Sequence, residues 1–265
     1  MPEGDTVFAT AHRLTDALAG VTLVRGELRH PRLSTVDLKG RVLDRAVSVG
    51  KHLFLRFNRA LSLHCHLGMD GSWTLYDQSR RAPVNHRTRA ILGTPQRVAL
   101  GQSLLEMALV STSDERRLVG HLGPDLLGPD WSDEQAAEAR RRLRSDPARE
   151  IGLALLDQTL IAGVGNVYKA ELCFLLGVSP WSPVSEVDIG KAVALARKLL
   201  LRNALTAHRN TTGDSRRGRE LWVYGRERTG CLRCGGRVIV ARQGEGTRER
   251  TAHHCPHCQP GPTPT

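Results

Sequence analysis

Four of the six cysteines stand in two Cys-x2-Cys pairs, Cys231 with Cys234 and Cys255 with Cys258, separated by twenty residues. Each pair can bring two thiolates together from one tight turn, and "CGG" and "CPHC" carry the glycine and proline that such turns use. Two pairs at this separation fit a tetrahedral thiolate site for one zinc ion per chain. Four protein ligands leave no coordination position for a substrate, so zinc held there supports structure. A redox pair would need one Cys-x2-Cys beside a βαβ unit, and the pattern offers none. Cys65 and Cys173 fall at apolar positions of a strand and a helix, and are expected in the core.

A second chemical possibility lies at the start, "MPEGDTV". Met-Pro openings are commonplace, but with Met1 removed Pro2 is a secondary-amine nucleophile. By composition alone, Glu3 is a helix-terminal charge and Lys51, after Gly50 at the start of a strand, is solvent decoration. Between the cysteine pairs, "RVIVARQGEGTRERTAHH" alternates like a hairpin, with Arg237, Arg242, Arg248 and Arg250 near its tip. Guanidinium groups so presented form a phosphate clamp or a charged hairpin with no partner. In "DQTLIAGVGNVYKAE", Gly163 and Gly165 permit close backbone approach, and the amides opening the next helix can bind an anion, with Asn166 adding a donor. Taken alone, "GVGN" also reads as a tight helix–helix turn.

The elements that must position these groups fall into an α+β, multidomain pattern. "DTVFATAHRLTDALA" puts Val7, Ala11, Leu14 and Leu18 at helical spacing, with Gly20 to end the helix. From 21 to about 110 the pattern is short alternating runs, including "KHLFLRF" and "LSLHCHL", which predicts a β-sandwich with the leading helix packed on it. Ser132 and Gln135 form a capping box before "DEQAAEARRRLR". Asp146-Pro147 predicts a helix start, and a further helix spans roughly 186–204. Residues 207–221 read as a loop. The expected boundaries are 1–128 for the sandwich, 129–224 for a helical domain, 225–260 for the cysteine unit and 261–265 for a disordered tail.

The 265 residues carry a formal charge of +11, 40% hydrophobic and 4% aromatic residues, and only five lysines. An arginine-driven excess favours a polyanionic partner, nucleic acid first, over simple solubility. No run approaches the ~18 apolar residues of a membrane span, and no secretory signal pattern is visible. The expected location is the cytoplasm, in association with the nucleoid.

Together "MPEGDTV", "GKHLFLRF", "HCHLGMDGSW", "LIAGVGNVYKAE" and the cysteine unit closing "CPHCQ" resemble the bacterial formamidopyrimidine-DNA glycosylase and endonuclease VIII family, in the family's order from residue 2 to about 259. The resemblance implies an N-terminal β-sandwich with a leading helix, a helix–two-turn–helix bundle with a zinc finger, and damaged DNA bound between them by a monomer. It implies a glycosylase and abasic-site lyase of base-excision repair. In that reading Pro2 is the Schiff-base nucleophile and Glu3 the general acid that opens the sugar. Lys51 is a proton donor in elimination, and Arg250 clamps phosphate. Asn166 and His66 contact the backbone, and Met69 fills the hole left by the flipped base.

Departures bear on substrate. No proline-arginine-phenylalanine stretch of the 8-oxoguanine branch occurs between 85 and 125. Where the endonuclease VIII branch has an arginine before "VGPD", this chain has His121, and Gly68, Met69 and Asp70 replace its three-residue wedge. "HLGPDLLGPDW" and "TTGDSRRGRELWVYGRE" resemble the actinobacterial endonuclease VIII subgroup most. Oxidised pyrimidines and abasic sites are the expected substrates, in duplex, single-stranded or bubble DNA. The segment 209–220 lies where the family covers the lesion. The alternatives are a member preferring oxidised purines, a non-catalytic zinc-ribbon DNA-binding protein, and, less favoured without aromatic stacking motifs, an RNA-processing zinc protein.

Overall fold

In the computed structural model, residues 1–80, 82–206, 208–246 and 249–263 are described. The chain forms two compact units, Met1–His121 and Leu122–Thr265. No helix among the described residues is long and apolar enough to cross a membrane.

Unit 1 opens with α1, Gly4–Leu18, whose Val7, Ala11, Leu14 and Leu18 are buried as their spacing predicts. Gly20, at φ 75°, turns the chain away. Eight strands follow: β1 Arg25–Leu28, β2 Leu43–Val49, β3 His52–Phe57, β4 Leu61–His66, β5 Ser72–Asp77, β6 Thr88–Gly93, β7 Arg97–Gln102 and β8 Glu106–Ser111. They form two antiparallel four-stranded sheets, β1-β6-β7-β5 and β2-β3-β4-β8. One core joins them to α1: Leu53, Leu55, Leu63 and Cys65 of one sheet meet Trp73, Ala90, Leu92 and Ala99 of the other.

The opposite face of β3 and β4 is also covered. Phe54, Ser62 and His64 are buried there, although alternation alone predicts a solvent face. The short helix α2, Glu115–Val119, supplies the cover. Glu115 takes two guanidinium nitrogens of Arg56 at 2.9 and 2.6 Å and the Ser62 hydroxyl at 2.6 Å. Beside it the His52 and His64 rings stack, with Nδ1 of one 2.9 Å from Nε2 of the other.

Unit 2 contains α3 Asp133–Leu143, α4 Ile151–Leu156, α5 Asn166–Leu176 and α6 Ile189–Asn203, then the hairpin β9 Ile239–Gln243 and β10 Arg250–His254. The Ser132 hydroxyl caps α3 by accepting from the Gln135 amide, as expected. The predicted start at Asp146-Pro147 is corrected: α4 begins at Ile151. Its first amides, Ile151 and Gly152, donate across the chain to the Ser182 and Pro180 carbonyls, so the helix cannot extend backward. The tail reading is corrected for 261–263, because the Ser179 hydroxyl donates to the Pro262 carbonyl there.

Helix α5 is buried nearly all round, including two charged residues that periodicity leaves without a solvent face, Lys169 and Glu171. Glu171 accepts the Trp222, Val223 and Tyr224 amides at 2.8, 2.9 and 3.0 Å, and the Thr211 hydroxyl. Burial raises its carboxyl pKa above the usual range, and these donors oppose that shift. The segment 207–221, read as a loop, is therefore tied to the core at Thr211, and the Asn203 side chain adds bonds to the Asn210 backbone.

Two consequences are measurable. Glu171→Ala leaves several buried donors unpaired and is expected to cost at least about 3 kcal/mol in urea unfolding; a loss below about 1 kcal/mol would contradict the account. In unit 1, burial first and then the charges of His64, His66, His121 and Lys51 lower the His52 pKa from 6.5 to about 3. The unfolded chain protonates His52 at a higher pH than the folded one. The associated stability is therefore full above pH 6.5 and lost as pH falls from 6.5 towards about 3. His52→Phe should flatten the stability profile in that window by up to about 1.4 kcal/mol per pH unit. Parallel wild-type and variant profiles would refute it.

Candidate functional site

The candidate groups of unit 1 gather at one end through the register of α1 on β2. The Thr15 hydroxyl accepts from the Ala46 amide at 2.9 Å, and Ala19 bridges Leu43, so helix and strand run in opposite directions. From Thr15 back to Gly4 the helix rises about 16 Å. From Ala46 to Val49 the strand advances about 10 Å, and the turn carries Lys51 beyond its end. The start of α1, preceded by Pro2 and Glu3, and the turn that carries Lys51 therefore lie towards the same end of unit 1. Pro2 is partly exposed, whereas Glu3 is fully buried and its carbonyl accepts the Val7 amide.

Lys51 lies in a turn, not at a strand start as the sequence reading places it. Val49 pairs with His52, so Gly50 and Lys51 form a two-residue hairpin loop. Gly50, at φ 56°, supplies the left-handed first position that such a loop requires. Lys51 is thus carried on the tip of a rigid ribbon.

His66 ends β4 directly opposite His52. Its Nδ1 accepts the Gly68 amide at 3.1 Å, and burial lowers its pKa. A neutral ring with Nδ1 accepting carries its proton on Nε2, so His66 presents a donor without a charge. The His52 ring lies edge-on to both His66 and His121, with centroids 5.3 and 6.4 Å apart. His121 therefore joins the same cluster.

Met69 occupies the turn after β4 and is 64% exposed. The turn is fixed at both ends: Gly68 has φ 60°, and a Cβ on Gly71 would lie 2.2 Å from the Leu67 carbonyl oxygen. Leu105, 67% exposed, packs against Gly68 from the turn between β7 and β8. Sequence reasoning missed Leu105 because the residue adjoins apolar neighbours in "LLEMALV" and carries no separate signal.

In unit 2, the chain from Asp157 to Gly165 turns back on itself between α4 and α5. The Gln158 side chain donates to the Leu156 and Val164 carbonyls and accepts the Gly163 amide, and Gly163 sits at φ 107°. Asn166 follows at the first position of α5, 4% exposed. Its amide group lies 3.2 Å from the Thr251 hydroxyl, and its Oδ1 has no hydrogen-bond partner among the described residues. Amide oxygen and nitrogen are interchangeable in placement. With the two exchanged, Thr251 donates to the oxygen and the buried N–H is left for an anion.

Arg250 begins β10 at the turn end of the hairpin, opposite Gln243. Arg242 pairs with Glu249 at 2.8 Å. Arg237 precedes β9 at the cysteine end, so its expected place near the tip is corrected. Arg248 lies outside the described residues.

The four cysteines converge at the other end of the hairpin, all Sγ atoms lying within 4.8 Å of one another. Cys231 and Cys258 are 3.9 Å apart and Cys234 and Cys255 are 3.6 Å apart. A tetrahedron with metal–sulfur bonds of about 2.3 Å has edges of roughly 3.8 Å, so the cluster fits one metal ion. Arg233, between the first two cysteines, stacks on Phe174 of α5 at 4.3 Å and on Trp222 at 5.4 Å.

Along its whole length the chain is 52% identical to "Probable endonuclease 8 2" of Streptomyces coelicolor, covering 96% of that protein. It is 46% identical to "DNA-(apurinic or apyrimidinic site) lyase Nei2" of Mycolicibacterium smegmatis, over 98% of this chain and 99% of that one. The fold matches Lactococcus lactis Fpg in complex with DNA containing an abasic site, at a TM-score of 0.80 and 23% identity, covering 98% of this chain and all of that one. Residues 1–119 match the formamidopyrimidine-DNA glycosylase N-terminal domain and residues 122–215 the formamidopyrimidine-DNA glycosylase H2TH domain, so the chain belongs to the formamidopyrimidine-DNA glycosylase and endonuclease 8 family.

Proposed function

We infer that the protein is a bifunctional DNA glycosylase and abasic-site lyase that removes oxidised bases, pyrimidines preferentially, and cuts the strand by elimination. The observation that supports this reading is that the start of α1, with Pro2 and buried Glu3, and the Lys51 turn lie towards the same end of unit 1. It is joined by end-to-end similarity to proteins named endonuclease 8 and abasic-site lyase.

The chemistry follows from the amine. Once Met1 is removed, the Pro2 nitrogen forms a bond to C1′ as the base departs with a proton. Glu3 protonates the ring oxygen, the sugar opens, and C1′ becomes part of an iminium. A secondary amine gives an iminium with no N–H to lose, so the electron sink stays cationic at every pH. It acidifies the C2′ proton, whose loss expels the 3′ phosphate, with Lys51 as proton donor to the departing oxygen. An α-amino group titrates near about 8, against about 10.4 for lysine, so far more of it is free to attack at neutral pH.

The remaining residues hold the substrate. His66 donates Nε2–H to backbone phosphate, and His121 adds a further contact. Asn166, Arg250 and Arg248 supply the phosphate ligands of unit 2. Met69, with Leu105 beside it, fills the space vacated when the damaged nucleotide leaves the stack. Cys231, Cys234, Cys255 and Cys258 hold zinc, which fixes the base of the hairpin. The segment 209–220 covers the extruded base, and the enzyme works as a monomer in the cytoplasm.

Untagged protein should nick abasic-site duplex, and Pro2→Gly or an uncleaved N-terminal extension should abolish nicking while leaving binding. DNA binding without nicking by the untagged protein would instead fit a non-catalytic zinc-ribbon protein. Glu3→Gln should remove base excision from an oxidised-pyrimidine oligonucleotide and spare affinity; normal excision by this variant would refute its assignment. Affinity should fall with salt at a log–log slope of ~0.9 per phosphate neutralised, and a flat dependence would contradict the clamp. Stripping zinc with a thiol-directed mercurial should release one equivalent per chain and abolish binding.

A further inference from the structure

Lys169 is 0% exposed on a helix with almost no solvent face. A buried ammonium is retained only where its donors are well used. Nζ donates to the Thr251 carbonyl at 3.0 Å and to the Gln243 side-chain oxygen at 3.4 Å. These acceptors lie on opposite strands of the hairpin, at the end that carries Arg250. Gln243 is the register partner of Arg250, and Thr251 is its chain neighbour.

The same helical face presents Asn166, one turn before Lys169, and its amide group pairs with the Thr251 hydroxyl at 3.2 Å. Thr251 is therefore held twice from α5, at its carbonyl by Lys169 and at its side chain by Asn166. Gln243 is fixed in turn by Glu150 Oε2 and the Pro180 carbonyl, each at 2.8 Å. Gly152 leaves it room, since a Cβ there would lie 2.5 Å from the Gln243 oxygen. The cysteine cluster anchors the hairpin beyond the opposite end, where His254 pairs with Ile239. The thiolate site alone thus leaves the Arg250 end to be set by another contact.

We propose that Lys169 is a positioning residue that registers the turn end of the hairpin on α5, so that Asn166 and Arg250 act on the DNA backbone as one unit. The inference rests on the phosphate-clamp reading of those two residues. Lysine suits the task because one ammonium reaches acceptors on both strands, which no apolar side chain of that length can do.

The test uses the full-length, zinc-loaded, untagged protein and a duplex carrying a tetrahydrofuran abasic-site analogue. Asn166→Ala and Arg250→Ala should each weaken binding roughly tenfold, and the double variant should lose less than the product because the two act together. Lys169→Met should weaken binding about tenfold and make the two substitutions multiply independently. On a cleavable abasic site it should raise KM much more than it lowers kcat. Wild-type affinity in Lys169→Met, persistence of the coupling, or an equal loss in kcat would overturn the proposal. If neither Asn166→Ala nor Arg250→Ala weakens binding, the clamp reading itself fails. Should Lys169→Met not fold, Lys169→Gln decides, since it keeps a polar side chain and removes the ammonium that reaches Thr251 and Gln243 together. Weaker binding with lost coupling supports the proposal, and wild-type affinity and coupling refute it.

Discussion

The register of α1 on β2 is the constraint on which the candidate site of unit 1 depends. A terminal amine can work only if something holds it still, and chain ends are ordinarily the least ordered part of a protein. Here the terminus is the lead-in to a fifteen-residue helix whose apolar face is sunk into the sandwich core. The Thr15–Ala46 contact fixes the axial position of that helix. A slip of one turn would shift Pro2 and Glu3 by about 5.4 Å relative to the Lys51 turn. The lysine is equally constrained, because a two-residue turn closed by Gly50 leaves the ribbon no slack.

Uncharged donors complement the cations around that end. His52, His64 and His66 are all shifted toward neutrality, chiefly by burial. A neutral His66 offers an N–H donor without placing a second positive charge beside Lys51. Unit 2 follows another logic, with charged side chains buried on one helix and turned into joints. Glu171 collects the amides of 222–224, while Lys169 reaches the hairpin. Breaking one partner of such a joint costs far more than the joint adds over an apolar replacement. That asymmetry makes these residues organisers rather than simple sources of stability.

Much of this was legible in the sequence, for identifiable reasons. Val7, Ala11, Leu14 and Leu18 declare α1 because a helix buried on one side has no freedom in its spacing. The cysteine pairs declare their cluster because two short turns leave the thiolates few other arrangements. The rest depended on contacts distant in the chain. The start of α4 moved from Asp146 to Ile151 because Ser182 and Pro180 capture its amides, which no local pattern encodes. The second buried face of β3 and β4 was hidden because α2 covers it from fifty residues away. Lys169 and Glu171 did leave a trace: in "VYKAELCF" both are flanked by residues that must be buried. A charge with no solvent face implies a partner, but the sequence does not say which. Leu105 left none.

The most direct test of the central claim locates the covalent bond. Untagged protein reduced with borohydride on abasic-site DNA, then digested with nuclease and protease, can be mapped by mass spectrometry. The account predicts the deoxyribose remnant on a peptide that begins at Pro2, attached to its nitrogen, with Met1 gone. A remnant on Lys51 or another lysine, or an adduct on chains that retain Met1, would contradict it.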